Sequence, residues 1–209
     1  MSTPTKPLLK PRKSPVQARS TASVDAILEA TLQVLLREGR EGLTTTRVAM
    51  RAGVSVGSLY QYFPNKSSLL QAVLRAHLER TYGATVAAGE KYRGLPLRAM
   101  GKGLLADFLA MKFEHIEASL ALYQISDDVE GAKIARAIGQ QSVAAVAAML
   151  RSSCEPLTTD ATSVASMILA AIAGVSRRML ESEDPHTARQ ELERELRVMV
   201  MAYLDALKA

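Results

Sequence analysis

The segment LTTTRVAMRAGVSVGSLYQYFPNKSSLL, residues 43–70, constrains the fold of this chain more than any other stretch. Its three threonines precede apolar residues at helical spacing, and Thr44 is the preferred N-cap of a first short helix. Gly53 suits the left-handed residue that ends this helix, and Ser55 can cap a second one. The sequence therefore predicts a helix-turn-helix at about residues 44–63.

The second short helix offers small, hydroxylic and aromatic side chains without charge. Leu59 points inward at helical spacing, which leaves Tyr60, Gln61 and Tyr62 free to face outward. Tyrosine hydroxyls can donate to phosphates, and a glutamine amide can pair with adenine. In the alternative interpretation one tyrosine is a core residue and the other lies on the surface by accident. Gly57 would let this helix approach a DNA groove closely.

Positive charge is concentrated in and ahead of this segment. The formal net charge is +5, and residues 1–19 contain basic residues and no acidic ones. Such a distribution favours the binding of a polyanion, although a basic tail can also be merely solvated. We expect a flexible basic arm at residues 1–19 and DNA contacts from Arg12, Lys13, Arg19, Thr44, Thr45, Thr46, Arg47, Ser55, Val56, Gly57, Ser58, Tyr60, Gln61, Tyr62 and Lys66. A cation at the helix start, such as Lys66, opposes the helix dipole, and a phosphate nearby would offset that conflict.

Roughly residues 20–78 resemble the TetR family of bacterial transcriptional regulators, through the run Ala49-x-x-Ala52-Gly53-Val54-Ser55-x-Gly57-x-Leu59-Tyr60-x-Tyr62-Phe63-x-Asn65-Lys66-x-x-Leu69. Tyr62 stands where the family often has histidine, and Asn65 where serine is frequent. The resemblance implies a repressor that binds a palindromic operator as a homodimer. It also implies release by a small apolar effector, which binds a larger helical domain.

The rest of the chain favours helices. Aromatic residues make up 4% of the sequence, and no segment alternates convincingly like a strand. We predict an all-α fold of about nine helices, with a DNA-binding domain at 20–80 and a regulatory and dimerisation domain at 81–209. The other predicted helices are at about 21–38, 66–91, 97–125, 159–180 and 187–207, with one helix or a pair ending near residue 151.

Methionines are frequent in the C-terminal part and suit an adaptable apolar cavity, although ordinary core packing explains any single one equally well. The effector cavity is predicted to be lined by Met100, Leu104, Phe108, Met111, His115, Tyr123, Met149 and Met167. The last two helices have more apolar surface than one layer needs, which predicts a four-helix dimer interface. That interface is predicted to include Ala165, Ala170, Ala173, Gly174, Leu192, Leu196, Met199 and Tyr203.

Other chemistry finds little support in the sequence. We identify no catalytic constellation and expect neither a cofactor nor a metal, since Glu114, His115 and Glu117 do not share one helical face cleanly. One cysteine, Cys154, fits a reducing cytoplasm, and no leader or membrane-spanning segment is expected. The alternative function is a helical ligand-binding or interaction module whose helix-turn-helix no longer serves DNA recognition.

Overall fold

The computed structural model describes residues 15–126 and 130–209, with side chains from residue 21 onward. Its described residues form nine α-helices, which confirms the expected all-α fold: α1 Pro15–Gly42, α2 Thr45–Ala52, α3 Val56–Tyr62, α4 Lys66–Lys91, α5 Leu97–Glu114, α6 Ile116–Ile125, α7 Gly131–Arg151, α8 Ala161–Leu180 and α9 Pro185–Ala206. The chain divides into two compact units, Met1–Leu69 and Leu70–Ala209. This division lies within α4, and the boundary predicted at residue 80 lies further along the same helix.

The first helix is longer than the sequence indicated. It begins at Pro15, whereas its start was predicted at residue 21, so the last residues of the predicted flexible arm are helical. Proline fits this position because the first turn of a helix needs no backbone N–H donor. Gly39 interrupts the helical conformation with φ 66° and ψ −177°, and the last turn then continues to Gly42.

The single long helix predicted at 97–125 is wrong, because two helices occupy this stretch. His115 leaves the helical region with φ −133° and ψ 64°, which separates α5 from α6. Apolar residues continue on both sides of this break, and Phe113, Ala118 and Leu122 are all buried. The hydrophobic spacing therefore gave no sign of the interruption.

The core of the second unit is built around α5. Its buried side chains pack with those of α7, α8 and α9 in one apolar cluster. Gly101 allows α5 and α9 to approach closely, because a Cβ atom there would lie 2.6 Å from Leu204 Cδ1. Among the described helices only α8 is long and apolar enough to cross a membrane by length and composition. Its Ile168 and Ile172 side chains are buried in this cluster, as expected for a core helix.

A small group of polar side chains is buried in the second unit. Lys112 is 4% exposed and donates a hydrogen bond to the Tyr123 hydroxyl, whose ring centroid lies 4.6 Å from the ammonium group. Burial lowers the pKa of Lys112 to about 8 and is the main reason that the pKa of Tyr123 rises to about 12. His77 Nε2 lies 3.1 Å from Ser119 Oγ. Burial, with a smaller effect of the Lys112 charge, lowers the pKa of His77 to about 4.

We predict that this histidine makes the stability of the protein depend on pH. The unfolded chain protonates His77 near pH 6.5 and the folded chain near pH 4, so unfolding takes up a proton between these values. The free energy of unfolding should therefore fall by about 2–3 kcal/mol as the pH drops through this window. Urea denaturation at pH 7 and pH 4.5 should show a smaller decrease for His77→Gln than for the unsubstituted chain. The exposed His186→Gln is the control, and an equal decrease in all three proteins would contradict the prediction.

Candidate nucleic-acid interface

Local hydrogen bonds define the two short helices. Thr44 Oγ1 accepts from the Arg47 backbone N–H at 3.3 Å, and Ser55 Oγ accepts from the Ser58 N–H at 3.0 Å. Each serves as the N-cap that the sequence predicted. Gly53 ends α2 in the left-handed conformation, with φ 67° and ψ 28°. The predicted helix-turn-helix is therefore confirmed in detail.

One buried side chain orients α3. Leu59 is fully buried, and Phe63 directly after the helix is buried as well. The Thr45 hydroxyl lies 3.1 Å from the Tyr60 hydroxyl, which joins the start of α2 to α3. These contacts fix the rotation of α3 about its axis and thereby determine which side chains reach the surface.

The outward face of α3 is aromatic and uncharged. Tyr60 is 46% exposed and Tyr62 37% exposed, so neither tyrosine is a core residue. Six other predicted contact residues on or beside the two helices are also exposed: Thr44, Thr46, Ser55, Val56, Gly57 and Gln61. Thr45 and Ser58 are half-buried. All of these residues lie between positions 44 and 62, and all of them reach the surface. Their contact with DNA stays a prediction.

The cations near these helices are held by other parts of the same unit. Arg47 forms an ion pair with Glu38 at 2.6 Å and donates to the Gly42 carbonyl, also at 2.6 Å. Lys66 Nζ donates to the Arg40 carbonyl at 2.9 Å. The conflict between Lys66 and the α4 dipole is thus offset by a carbonyl at the end of α1. A phosphate is not needed for this purpose.

Part of the predicted contact set cannot be placed. Arg12 and Lys13 lie outside the described residues, and so does the side chain of Arg19. Their contribution to DNA binding remains a prediction from charge alone.

Two family models match the chain. One is described as "Bacterial regulatory proteins, tetR family" and matches residues 27–73. The other is described as "Tetracyclin repressor-like, C-terminal domain" and matches residues 96–204, which is more than half of the chain. The chain belongs to the TetR family. Family membership confirms the resemblance seen in the sequence and identifies the chain as a regulatory protein and not an enzyme.

Relatives and solved structures agree with this assignment. The chain is 38% identical over 106 residues to the HTH-type transcriptional repressor KstR of Mycolicibacterium smegmatis, covering 46% of this chain and 52% of KstR. It is 35% identical over 88 residues to the nucleoid occlusion factor SlmA of Haemophilus ducreyi, covering 42% of this chain and 41% of SlmA. The chain thus spans about half the length of these relatives or less. A TetR-family crystal structure from Mesorhizobium loti shares the fold, with a TM-score of 0.74, 17% identity and coverage of 91% and 99% of the two chains.

One exposed residue of this TetR-family helix-turn-helix was missed from the sequence. Met50 on α2 is 77% exposed, far more than expected of a methionine. The helical spacing of α2 could have predicted this exposure, because the preceding residues Val48 and Ala49 point inward and are buried. Met50 therefore adds an apolar group to the surface formed by α2 and α3.

The predicted effector residues do not lie around one cavity. Met100, Leu104, Phe108 and Met149 are buried together in the core, whereas Met167 is 61% exposed on α8. His115 lies at the break between α5 and α6, and Tyr123 contacts Lys112. Met111 lines a depression of about 740 Å³ beside α4 and α5. A second hollow, of about 670 Å³, is a groove between α7 and α8 that none of the eight residues lines. The predicted set stays a prediction.

The predicted dimer residues divide into two groups. Ala165 and Leu196 are buried in the core of the chain itself, and Leu192, Tyr203 and Ala173 are half-buried. Ala170, Gly174 and Met199 are exposed on α8 and α9. Gly174 and Met199 are therefore the part that a second copy could contact, because Ala170 lines the groove between α7 and α8.

We predict that replacing Gly53 with alanine reduces the stability of the protein, whereas replacing Gly57 with alanine does not. Gly53→Ala places a Cβ atom on a left-handed residue and should reduce the stability of the protein by about 1–2 kcal/mol. Gly57→Ala lies within α3, where the nearest atom to an added Cβ is Ser55 Oγ at 3.8 Å, and should leave the stability unchanged or slightly higher. Thermal unfolding of both variants tests this difference. Equal melting temperatures for the two would contradict the role given to Gly53.

Proposed function

We propose that this TetR-family protein is a transcriptional repressor that binds a palindromic DNA operator as a homodimer in the cytoplasm and is released by a small effector. The observation that carries the proposal is the outward, uncharged face of α3. Two exposed tyrosines and Gln61 stand on a helix that carries no charged side chain. Such a helix can enter the major groove without repulsion from the phosphates or competition from its own ion pairs.

The same surface offers contacts of two kinds. Gln61 and the tyrosine rings can reach base edges and thymine methyl groups, which gives sequence preference. The hydroxyls of Thr44, Thr46 and Ser55 at the helix starts can bind phosphates and set the register. The basic N-terminal residues add attraction that is independent of sequence and weakens with salt. The name of the KstR relative, a transcriptional repressor, supports repression for this chain.

The proposal of a dimer rests on exposed apolar side chains of α8 and α9. Met167 on α8 and Val198 and Met199 on α9 are all exposed, and the two helices pack against each other. Exposed apolar side chains grouped on neighbouring helices indicate an interaction surface. A two-fold arrangement of this surface would present two copies of α3 to successive major grooves.

Release from DNA requires an effector that binds one dimer conformation better than the other. A hundredfold difference in affinity corresponds to about 2.7 kcal/mol of coupling. We propose that the effector binds in the second unit. The helix α4 would then convey the change, because residues of both units belong to it.

The recognition role of α3 gives the first functional prediction. Gln61→Ala should weaken binding to the operator by about 1–3 kcal/mol, because it removes an amide that faces the bases. Tyr60→Ala should weaken it by a similar amount, because it removes a ring that faces the bases together with the hydrogen bond to Thr45. Fluorescence anisotropy with fragments of the upstream DNA of the gene measures the affinity, and circular dichroism checks the fold. Gln141→Ala changes the same residue type at an exposed position of α7 and serves as the control. If Tyr60→Ala and Gln61→Ala both bind as tightly as the control, the assignment of α3 is wrong.

The dimer gives the second prediction. Met199→Lys introduces a charge into the proposed interface and should raise the dimer dissociation constant about a hundredfold. Gln190→Lys adds the same charge on an exposed position of α9 away from Met199 and should leave the dimer intact. Sedimentation velocity at micromolar concentration distinguishes the two variants. A monomeric unsubstituted chain under these conditions would contradict the proposed assembly.

A further inference from the structure

The groove between α7 and α8 has the size and shape of a small-molecule site. It encloses about 670 Å³, within the range of typical ligand pockets. Its walls are made by one face of each helix, and Tyr82 of α4 closes part of it. Small side chains create the space, among them Gly139, Ala144 and Ala170. Val143 and Leu169 add larger apolar surfaces.

The two helices form a hairpin, so the groove has two distinct ends. Arg151 marks the end near the connecting loop, where its guanidinium donates to Thr162 Oγ1 at 2.8 Å. Arg136 marks the other end, fifteen residues earlier on α7. At 1.5 Å per residue the ends are about 22 Å apart along the helix. An elongated apolar molecule can therefore lie between them.

The two arginines differ in their partners. Arg151 also lies 3.9 Å from the Asp160 carboxylate, which balances its charge. Arg136 is exposed at the edge of the apolar groove and makes no hydrogen bond or ion pair with any residue that the structure describes. Its guanidinium is therefore available to an anionic group on a ligand, since a guanidinium binds a carboxylate through two parallel hydrogen bonds.

Neighbouring groups favour an anion at the same end. Gln140 is one turn from Arg136 on the groove face and carries an amide donor. Tyr82 also lines the groove, and its hydroxyl is a further hydrogen-bond donor within it. By contrast, the charges of the hollow beside α4 and α5 pair with described neighbours, since Lys91 binds Asp107 at 2.9 Å and Arg189 binds Glu193 at 3.3 Å.

We propose that the α7–α8 groove binds a small amphipathic acid, with its carboxylate at Arg136 and its apolar body along Val143, Ala144 and Leu169. This molecule is of the class that would act as the effector, and only that regulatory role rests on the proposed function. The binding itself depends on the groove alone.

Isothermal titration calorimetry with octanoate and 1-octanol tests the site. Octanoate should bind once per chain and more tightly than 1-octanol, because only octanoate carries the carboxylate. Arg136→Gln should weaken octanoate binding about tenfold or more and leave 1-octanol binding unchanged. Lys133→Gln removes an exposed cation of α7 outside the groove and is the matched control. Absence of octanoate binding, or equal octanoate affinity in Arg136→Gln and Lys133→Gln, would overturn the proposal.

A second pair of variants tests the apolar part of the groove. Ala144→Phe fills the groove from an exposed position and should abolish the binding of both probes, whereas Ala132→Phe adds the same ring on α7 outside the groove and should not. Sedimentation velocity measures the oligomeric state of both variants. If Ala144→Phe instead produces monomers that retain octanoate affinity, the groove is an interface with a second copy and the proposal is overturned.

The regulatory role is measured separately by anisotropy with operator DNA. Octanoate that binds at Arg136 and releases the DNA supports both the site and the proposed function. Octanoate that binds at Arg136 without releasing the DNA supports the site and contradicts only the role of this ligand class as effector. Failure of the unsubstituted chain to bind any upstream DNA contradicts the proposed function, while calorimetry still decides the site.

Discussion

The burial of Leu59 is the constraint on which the outward face of α3 depends. A helix of seven residues is not stable alone in water, so α3 exists only because its surroundings hold it. Leu59 anchors it in the core, Ser55 caps its start and the Thr45–Tyr60 hydrogen bond ties it to α2. With one side chain fixed inward, the helical period turns the two tyrosines and Gln61 outward.

In the helix-turn-helix unit, charged side chains stabilise the contacts with α1, whereas α3 itself carries no charged side chain. Arg47 and Lys66 hold the end of α1 in place through carbonyl groups, and Arg47 also pairs with Glu38. They stabilise the scaffold that presents α3. The outward face of α3 carries no charge, so sequence preference in the proposed DNA complex would come from hydrogen bonds and ring contacts. Attraction over longer distances would then come from the basic N-terminal residues, which act on any DNA sequence.

How far the sequence predicted the structure depended on the range of the interactions. The caps Thr44 and Ser55 and the turn at Gly53 were predicted correctly, because each depends on residues three or four positions away. The break at His115 was missed, since the apolar spacing continues through it. The groove lined by Arg136 could not be predicted, because it arises from the packing of α7 on α8 and not from a local pattern.

Cleavage of DNA by a reagent tethered to α3 tests whether this helix lies in the major groove. Gln61→Cys in a Cys154→Ala background gives a single attachment point for an iron–EDTA group, because Cys154 is the only native cysteine and is exposed. A homodimer that inserts α3 into successive major grooves should give two clusters of cuts on the operator. Their centres should lie about 10–10.5 base pairs, or a multiple of this distance, apart. The same group on Gln141→Cys should give no clusters. Bound protein whose Gln61→Cys derivative cuts no more than the Gln141→Cys derivative would contradict the role of α3.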